Sequence, residues 1–256
     1  MGLRASMICR AGKEGPMPSE TLQAIVLRYA NYRDRDRMLT LLTPDHGRVD
    51  VLSRGCRKPN SPLMPASELF VHGEFVLFRN NERFTLTSCQ LTDTFYTLRL
   101  DPYRLTCAIY LLNLAQAAAQ PEQGAQELFS LLLKGLYHMT YCESEPPLAV
   151  TNAFLLLFAA EIGYRPRMNH CVRCREPIQL EKGAGLDIEA GGLCCGNCVR
   201  GEQYLLSATQ VEWMREVLDK GFAAGMIIAD ASLFEALRRY VESRLEVTIK
   251  SSQFLP

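Results

Sequence analysis

Arg37-Met-Leu-Thr-Leu-Leu-Thr-Pro-Asp-His-Gly-Arg-Val-Asp-Val-Leu-Ser53 is the stretch on which the fold turns. Met38 to Thr43 and Arg48 to Ser53 are short and rich in aliphatic and β-branched residues, the composition of strands. Thr43-Pro-Asp-His-Gly47 between them holds the proline, aspartate and glycine of a tight turn. Working outward, Leu22 to Tyr29, Leu69 to Phe78 and Phe84 to Asp93 read as further strands, the last two joined by polar Arg79-Asn-Asn-Glu82. Arg54 to Pro65, with Gly55, Pro59, Pro62 and Pro65, reads as loop. Five short antiparallel strands in roughly 75 residues predict a small closed barrel.

The pattern changes at Asp101-Pro102, an N-cap followed by a first-turn proline. Helices are expected over Tyr103 to Ala119, Ala125 to Tyr141 and Leu148 to Ile162, and two more near the C-terminus. Those two should open with capping boxes, Ser207 with Gln210 and Ser232 with Glu235. The last should dock through Leu233, Leu237, Tyr240, Val241 and Leu245. Leu148 to Ile162 is the most apolar run. It falls short of the about 20 residues a membrane span needs, so a buried core helix is expected. The whole reads as an α+β multidomain chain. Residues 1–20 form a leader in which Met17 is a second candidate start. A barrel spans 21–100, a helical part spans 101–164 and 204–256, and an insert occupies 165–203.

The insert holds five of the ten cysteines. Cys171-Val-Arg-Cys174 and Cys195-Gly-Asn-Cys198 are two C-x2-C pairs with 20 residues between them. Two such turns aim four thiolates at one point, the arrangement of a structural zinc site. Cys194 is an alternative to Cys195, and His170 is a spare donor beside Cys171. Four protein ligands leave no open position for catalysis. Arg165, Arg167, Arg173 and Arg175 lie nearby in sequence with no acid between them; they either offset the charge of a tetrathiolate centre or extend a nucleic-acid surface. The scattered remaining cysteines suit a reducing cytosol.

No phosphate-binding glycine loop, zinc-protease or serine-nucleophile motif occurs, so no catalytic residue is expected. His72-Gly-Glu74 spells the H-x-E of zinc deaminases, but the nearest C-x2-C pair lies some hundred residues on and is already one of two such pairs. A structural histidine is expected there.

Net charge is zero over the chain, yet residues 22–58 carry eight basic and four acidic residues, a net of +4. That asymmetry is the footprint of a phosphate-binding face. Its candidate contacts are Arg28, Arg33, Arg35, Arg37, Arg54, Arg57 and Lys58, with Tyr29 and Tyr32 as rings on which bases can stack. Arg33-Asp-Arg-Asp-Arg37 alternates in sign, which sets its cations against neighbouring acids; Arg54, Arg57 and Lys58 stand on a loop without an acid.

Three stretches resemble the RecO family of bacterial recombinational repair proteins. They are Arg37 to Gly47 with Val49 to Val51 and Ser53-Arg-Gly-Cys-Arg-Lys58; Phe154 to Tyr164 leading into Cys171 to Cys174; and Ile249-Lys-Ser-Ser-Gln-Phe-Leu255. Cys56 stands where alanine is common in the family's basic loop. The resemblance covers about Leu22 to Leu255. It implies an OB-fold β-barrel, then an α-helical domain with an inserted four-cysteine zinc module. It also implies a non-enzymatic, cytoplasmic, nucleoid-associated role in repair and recombination. That role would be to bind single- and double-stranded DNA, anneal complementary strands, and help RecR load RecA onto strands coated by single-strand-binding protein. An adaptor that meets mainly protein partners, with the basic face serving their acidic tails, is the alternative.

Overall fold

A computed structural model describes residues 19–80, 83–200, 204–225 and 227–255. The sequence readings of residues 1–18 and of Asn81-Glu82 lie outside those residues. Five strands come first: β1 (Ser19–Tyr32), β2 (Asp36–Thr43), β3 (Gly47–Ser53), β4 (His72–Asn80) and β5 (Arg83–Asp93), with the short helix α1 (Leu63–Ala66) between β3 and β4. They close in the order β1-β2-β3-β5-β4, with β3 and β5 parallel and every other pair antiparallel. This is the five-stranded Greek-key barrel of the OB-fold. Closing it requires one long strand to serve two neighbours. β1 pairs with β4 from Ser19 and passes to β2 at Ile25, with a bulge between Val26 and Arg28 that bends it. Residues 19 and 20, read as leader from the sequence, are therefore the start of β1.

Alternation along β1 sends side chains into two cores. Leu22, Ala24 and Val26 fill the barrel with Leu39, Leu41, Phe75 and Leu77. Ile25 and Leu27 point outward, and with Leu42, Phe70 and Phe95 they join the core of the helices.

Helices α2 (Pro102–Ala118), α3 (Gln126–Tyr141), α4 (Pro147–Glu161), α5 (Ala208–Lys220) and α6 (Ala231–Leu245) follow. Asp101 caps α2 by accepting from the N–H of Tyr103 and Arg104. α4 is the apolar run, packed by α2, α3, α5 and α6 and buried on all sides. Among the described residues no helix is long and apolar enough to cross a membrane. The Ser207–Gln210 capping box forms reciprocally, at 2.8 and 3.1 Å. The second expected box does not. α6 starts earlier, with Asp230 accepting from Leu233 N at 2.7 Å, and Glu235 turns instead to Arg238 and Arg239. A carboxylate is a charged acceptor at the positive end of a helix, and it takes the cap ahead of a hydroxyl two residues later.

The cysteine-rich insert folds as a small sheet of order β7-β6-β8, made of β6 (Ala184–Asp187), β7 (Gly192–Cys195) and β8 (Tyr204–Leu206). β8 comes from chain expected to be helical. It pairs with β6, so the sheet reaches past the anticipated boundary. Ala184, Leu186, Leu193 and Leu206 are continuous with the helical core, so the insert and the helices share one apolar interior.

Candidate metal centre and nucleic-acid interface

The two C-x2-C turns meet. The sulfurs of Cys171, Cys174, Cys195 and Cys198 all lie within 4.8 Å of one another. The first turn is closed by Arg175 N donating to Cys171 O, with Arg175 in the left-handed region at φ 69°. The second is closed by Cys198 N donating to Cys195 O at 2.8 Å. Cys174 Sγ and Cys195 Sγ are 3.7 Å apart. A disulfide needs about 2.05 Å, whereas the edge of a tetrahedron of sulfurs about 2.3 Å from a metal is about 3.8 Å. This pair is too far apart for a disulfide and close enough to share a metal ion.

Electrostatics agree. Burial by itself would raise the Cys171 thiol, yet it is lowered to about 6, because the N–H groups of Cys174, Cys195 and Arg173 aim at its sulfur. The Cys198 thiol is pushed up to about 12, first by its hydrogen bonds with the Cys195 and Cys174 thiols. One sulfur is prepared to be an anion, and its neighbours hold protons a cation would displace. Four cysteines so placed could hold a metal ion. Cys194, the alternative ligand, sits on the opposite face of β7, fully buried, with its thiol donating to Gly185 O. His170 is exposed and lies outside the cluster.

The four nearby arginines divide. Arg173 has an acid after all: Asp187, 14 residues on and 3 % exposed, accepts from its Nη2 at 2.6 Å and its Nε at 2.7 Å. The β6 strand carries that partner across, which sequence proximity could not show. Arg165 and Arg167 donate to the carbonyls of Leu218 and Ala190. With Arg175 and Arg215 they line an open cleft of about 790 Å³ that reaches Cys171 of the cysteine cluster.

The barrel's basic residues also divide. Arg33 and Arg35 in the β1–β2 turn, and Arg54 and Lys58 in the loop after β3, line one cleft of about 590 Å³ with Tyr32 and Arg83. Arg57 is exposed beside it and bonds the β1–β2 turn twice, its main-chain N to Arg35 O and its guanidinium to Asp34 O. Asp36, which the alternating run set against its arginines, accepts instead from Gly55 N at 2.7 Å. It ties the two loops together. Among the described residues, no salt bridge joins Asp34 or Asp36 to these arginines. A second cleft of about 880 Å³ shares Tyr32, Leu52, Arg54 and Arg83 and adds Phe84. The two form one groove with cations along it and rings of Tyr32 and Phe84 in it.

Arg28 is exposed on β1, opposite Thr40, and lines neither cleft. Arg37 departs from the sequence expectation. It is 9 % exposed, donates to Glu68 at 2.7 Å and to Ser67 O at 2.8 Å, and lies 4.0 Å over the Tyr29 ring. Arg37 staples β2 to the segment after α1 and covers the ring that was expected to stack. Arg83 and Phe84 went unrecognised in the sequence. The signal was the polar sequence between Arg79 and Arg83, bracketed by those two arginines; Arg79 itself lies over the Phe84 ring at 5.4 Å.

A family model described as "Recombination protein O N terminal" matches residues 17–95, and one described as "Recombination protein O C terminal" matches residues 99–253. The chain is 31 % identical over 242 residues to the DNA repair protein RecO of Symbiobacterium thermophilum, covering 91 % of this chain and 95 % of that one. It is 30 % identical over 197 residues to that of Moorella thermoacetica, covering 76 % and 73 %. For that of Desulforamulus reducens the figures are 29 % over 243 residues, with 91 % and 93 % covered.

Proposed function

This chain belongs to the RecO family of DNA repair proteins, and from that premise we propose that it acts as a repair and recombination mediator without covalent chemistry of its own. It binds single- and double-stranded DNA, anneals complementary strands in the bacterial cytoplasm at the nucleoid, and works with RecR and single-strand-binding protein to load the recombinase. The observation that carries this reading is the groove at one end of the barrel, where Arg33, Arg35, Arg54, Lys58 and Arg83 converge around Tyr32. Two complementary strands repel each other. Cations that neutralise phosphates on both, with rings that hold bases by their faces, raise the encounter rate and leave the pairing edges free. The arginine-lined cleft beside the metal centre offers a second stretch of the same phosphate track.

The four cysteines fit zinc, with thiolate donors at tetrahedral spacing and all four positions filled by protein. Such a metal is structural. Because the insert shares its core with the helices, its loss reaches beyond the module. Chelation is expected to lower the melting temperature and to expose Cys171, Cys174, Cys195 and Cys198 to alkylation; an unchanged melting curve would overturn the structural role.

The deciding experiment is annealing of two complementary oligonucleotides, one coated with single-strand-binding protein, across a salt series. Acceleration that fades with salt is expected. No acceleration, with binding to the coating protein's acidic tail intact, would instead make the groove a protein-docking surface.

A further inference from the structure

A second set of metal-binding side chains lies at the far end of α3, apart from both sites above. α3 ends at Tyr141, and the chain makes a single turn to Pro146 before α4. His138 and Cys142 are one helical turn apart, on one face of the helix end, with Cys142 N donating to His138 O. Glu145 N donates to Cys142 O at 3.0 Å, and this folds the Glu145 carboxylate back onto His138 Nδ1, at 3.0 and 3.2 Å. The donor atoms of His138, Cys142 and Glu145 all lie within 4.8 Å of one another.

We propose that His138, Cys142 and Glu145 form a second, three-ligand site for a borderline divalent transition metal such as zinc, with its fourth position open to an outside ligand. A nitrogen, a sulfur and a carboxylate oxygen are the donors that suit this ion, and three of them leave the coordination incomplete. His138 Nδ1 and the Glu145 carboxylate already stand 3.0 to 3.2 Å apart, and all three donors lie within 4.8 Å of one another, close to the about 3.3 to 3.6 Å edges of a tetrahedron. The backbone is already fixed. Arg104 donates to the carbonyls of Met139, Glu143 and Glu145 at 2.8, 3.1 and 3.1 Å, clamping the turn that carries Cys142 and Glu145. The imidazole is fixed as well, stacked on Phe222 at 4.7 Å and 20°.

The histidine and the carboxylate are already paired. The thiol one turn on supplies the third donor on the same side. Thiolate, carboxylate and neutral imidazole around a dication sum to no net charge, which a half-buried position accommodates without a further counter-ion. His138 also lines an open groove of about 820 Å³ with Lys134, Glu127, Glu161, Lys220 and Phe222, so the histidine side of the site is reached from solvent.

The test compares zinc bound per chain, by titration against a chromophoric chelator, for the wild type and for Cys142→Ser and His138→Gln. Each variant is expected to bind one equivalent fewer and to keep its melting temperature. In the wild type, added zinc is expected to slow alkylation of Cys142 by iodoacetamide at least tenfold, located by peptide mass. Equal stoichiometry in wild type and variants, or a Cys142 alkylation rate indifferent to zinc, would overturn the proposal. The alkylation arm stands even if a variant fails to fold.

Discussion

The two ends of the barrel are built from the same strands and do opposite work. At one end the β2–β3 turn, Thr43 to Gly47, is docked onto the loop between α2 and α3. Ala125 N donates to Pro44 O at 2.7 Å, and Arg48 N donates to Gln120 O at 3.1 Å. At the other end the β1–β2 turn and the loop after β3 bond mainly to each other and present their cations to solvent. Each end has a glycine in the left-handed region, Gly47 at φ 61° and Gly55 at φ 65°. At Gly47 a Cβ would run into the carbonyl oxygens of Gln120 and Gln123; at Gly55 it would meet only the flexible Lys58 side chain. One end is determined by packing and the other by charge, so stability and DNA affinity should respond to different residues.

The largest effect is expected at the docked end. Gly47→Ala adds left-handed strain of about 1 to 2 kcal/mol and a collision with two backbone oxygens. The loss of stability should reach roughly 3 kcal/mol or more, read from urea unfolding. Oligonucleotide affinity of the folded fraction should hold. A variant that lost affinity and kept its stability would erase the division between the two ends.

At the open end, replacing Arg54, Arg57 and Lys58 together by alanine should leave stability within about 0.5 kcal/mol. The dependence of log affinity on log salt for single strands should become shallower by about 2, at roughly 0.7 for each phosphate no longer neutralised. An unchanged slope would remove these residues from the interface. Arg37→Ala is the control. It belongs by sequence to the same basic run but by structure to the interior, so the expected outcome is reversed: stability falls by about 1 to 2 kcal/mol and the slope is kept.

Arg37 also shows how far the sequence could be read. Strand parity places residues 37, 39 and 41 on one face, and Leu39 and Leu41 are fully buried. The inward position of Arg37 was thus legible from alternation; its partner Glu68, 31 positions away, was not. The four-cysteine cluster was legible because C-x2-C is a local turn repeated twice. The acid that holds Arg173 was not, because β6 carries Asp187 across by pairing that no local pattern records. The strands announced themselves through alternation and the glycine and proline of their turns. The closing of those strands into a barrel was expected, whereas the docking of the Thr43 to Gly47 turn on the α2–α3 loop depends on two segments over seventy residues apart.

Arg83 gives the smallest and sharpest prediction. Among the described residues it is the groove cation that the β4–β5 hairpin supplies, and it lines both clefts, where the Arg33, Arg35 and Lys58 side chains reach only one. Position therefore assigns it the passage from the cationic cleft to the ring of Phe84. Arg83→Ala should flatten the salt slope by about 0.7, the share of a single phosphate, with unfolding unchanged because the side chain is exposed. The effect should also be additive with the Arg54, Arg57 and Lys58 triple, since the cations act on separate phosphates rather than on one another. If Arg83→Ala has no effect in the wild type and none in the triple variant, the bound strand ends at the loop after β3, and Phe84 is part of the barrel wall rather than a platform for bases.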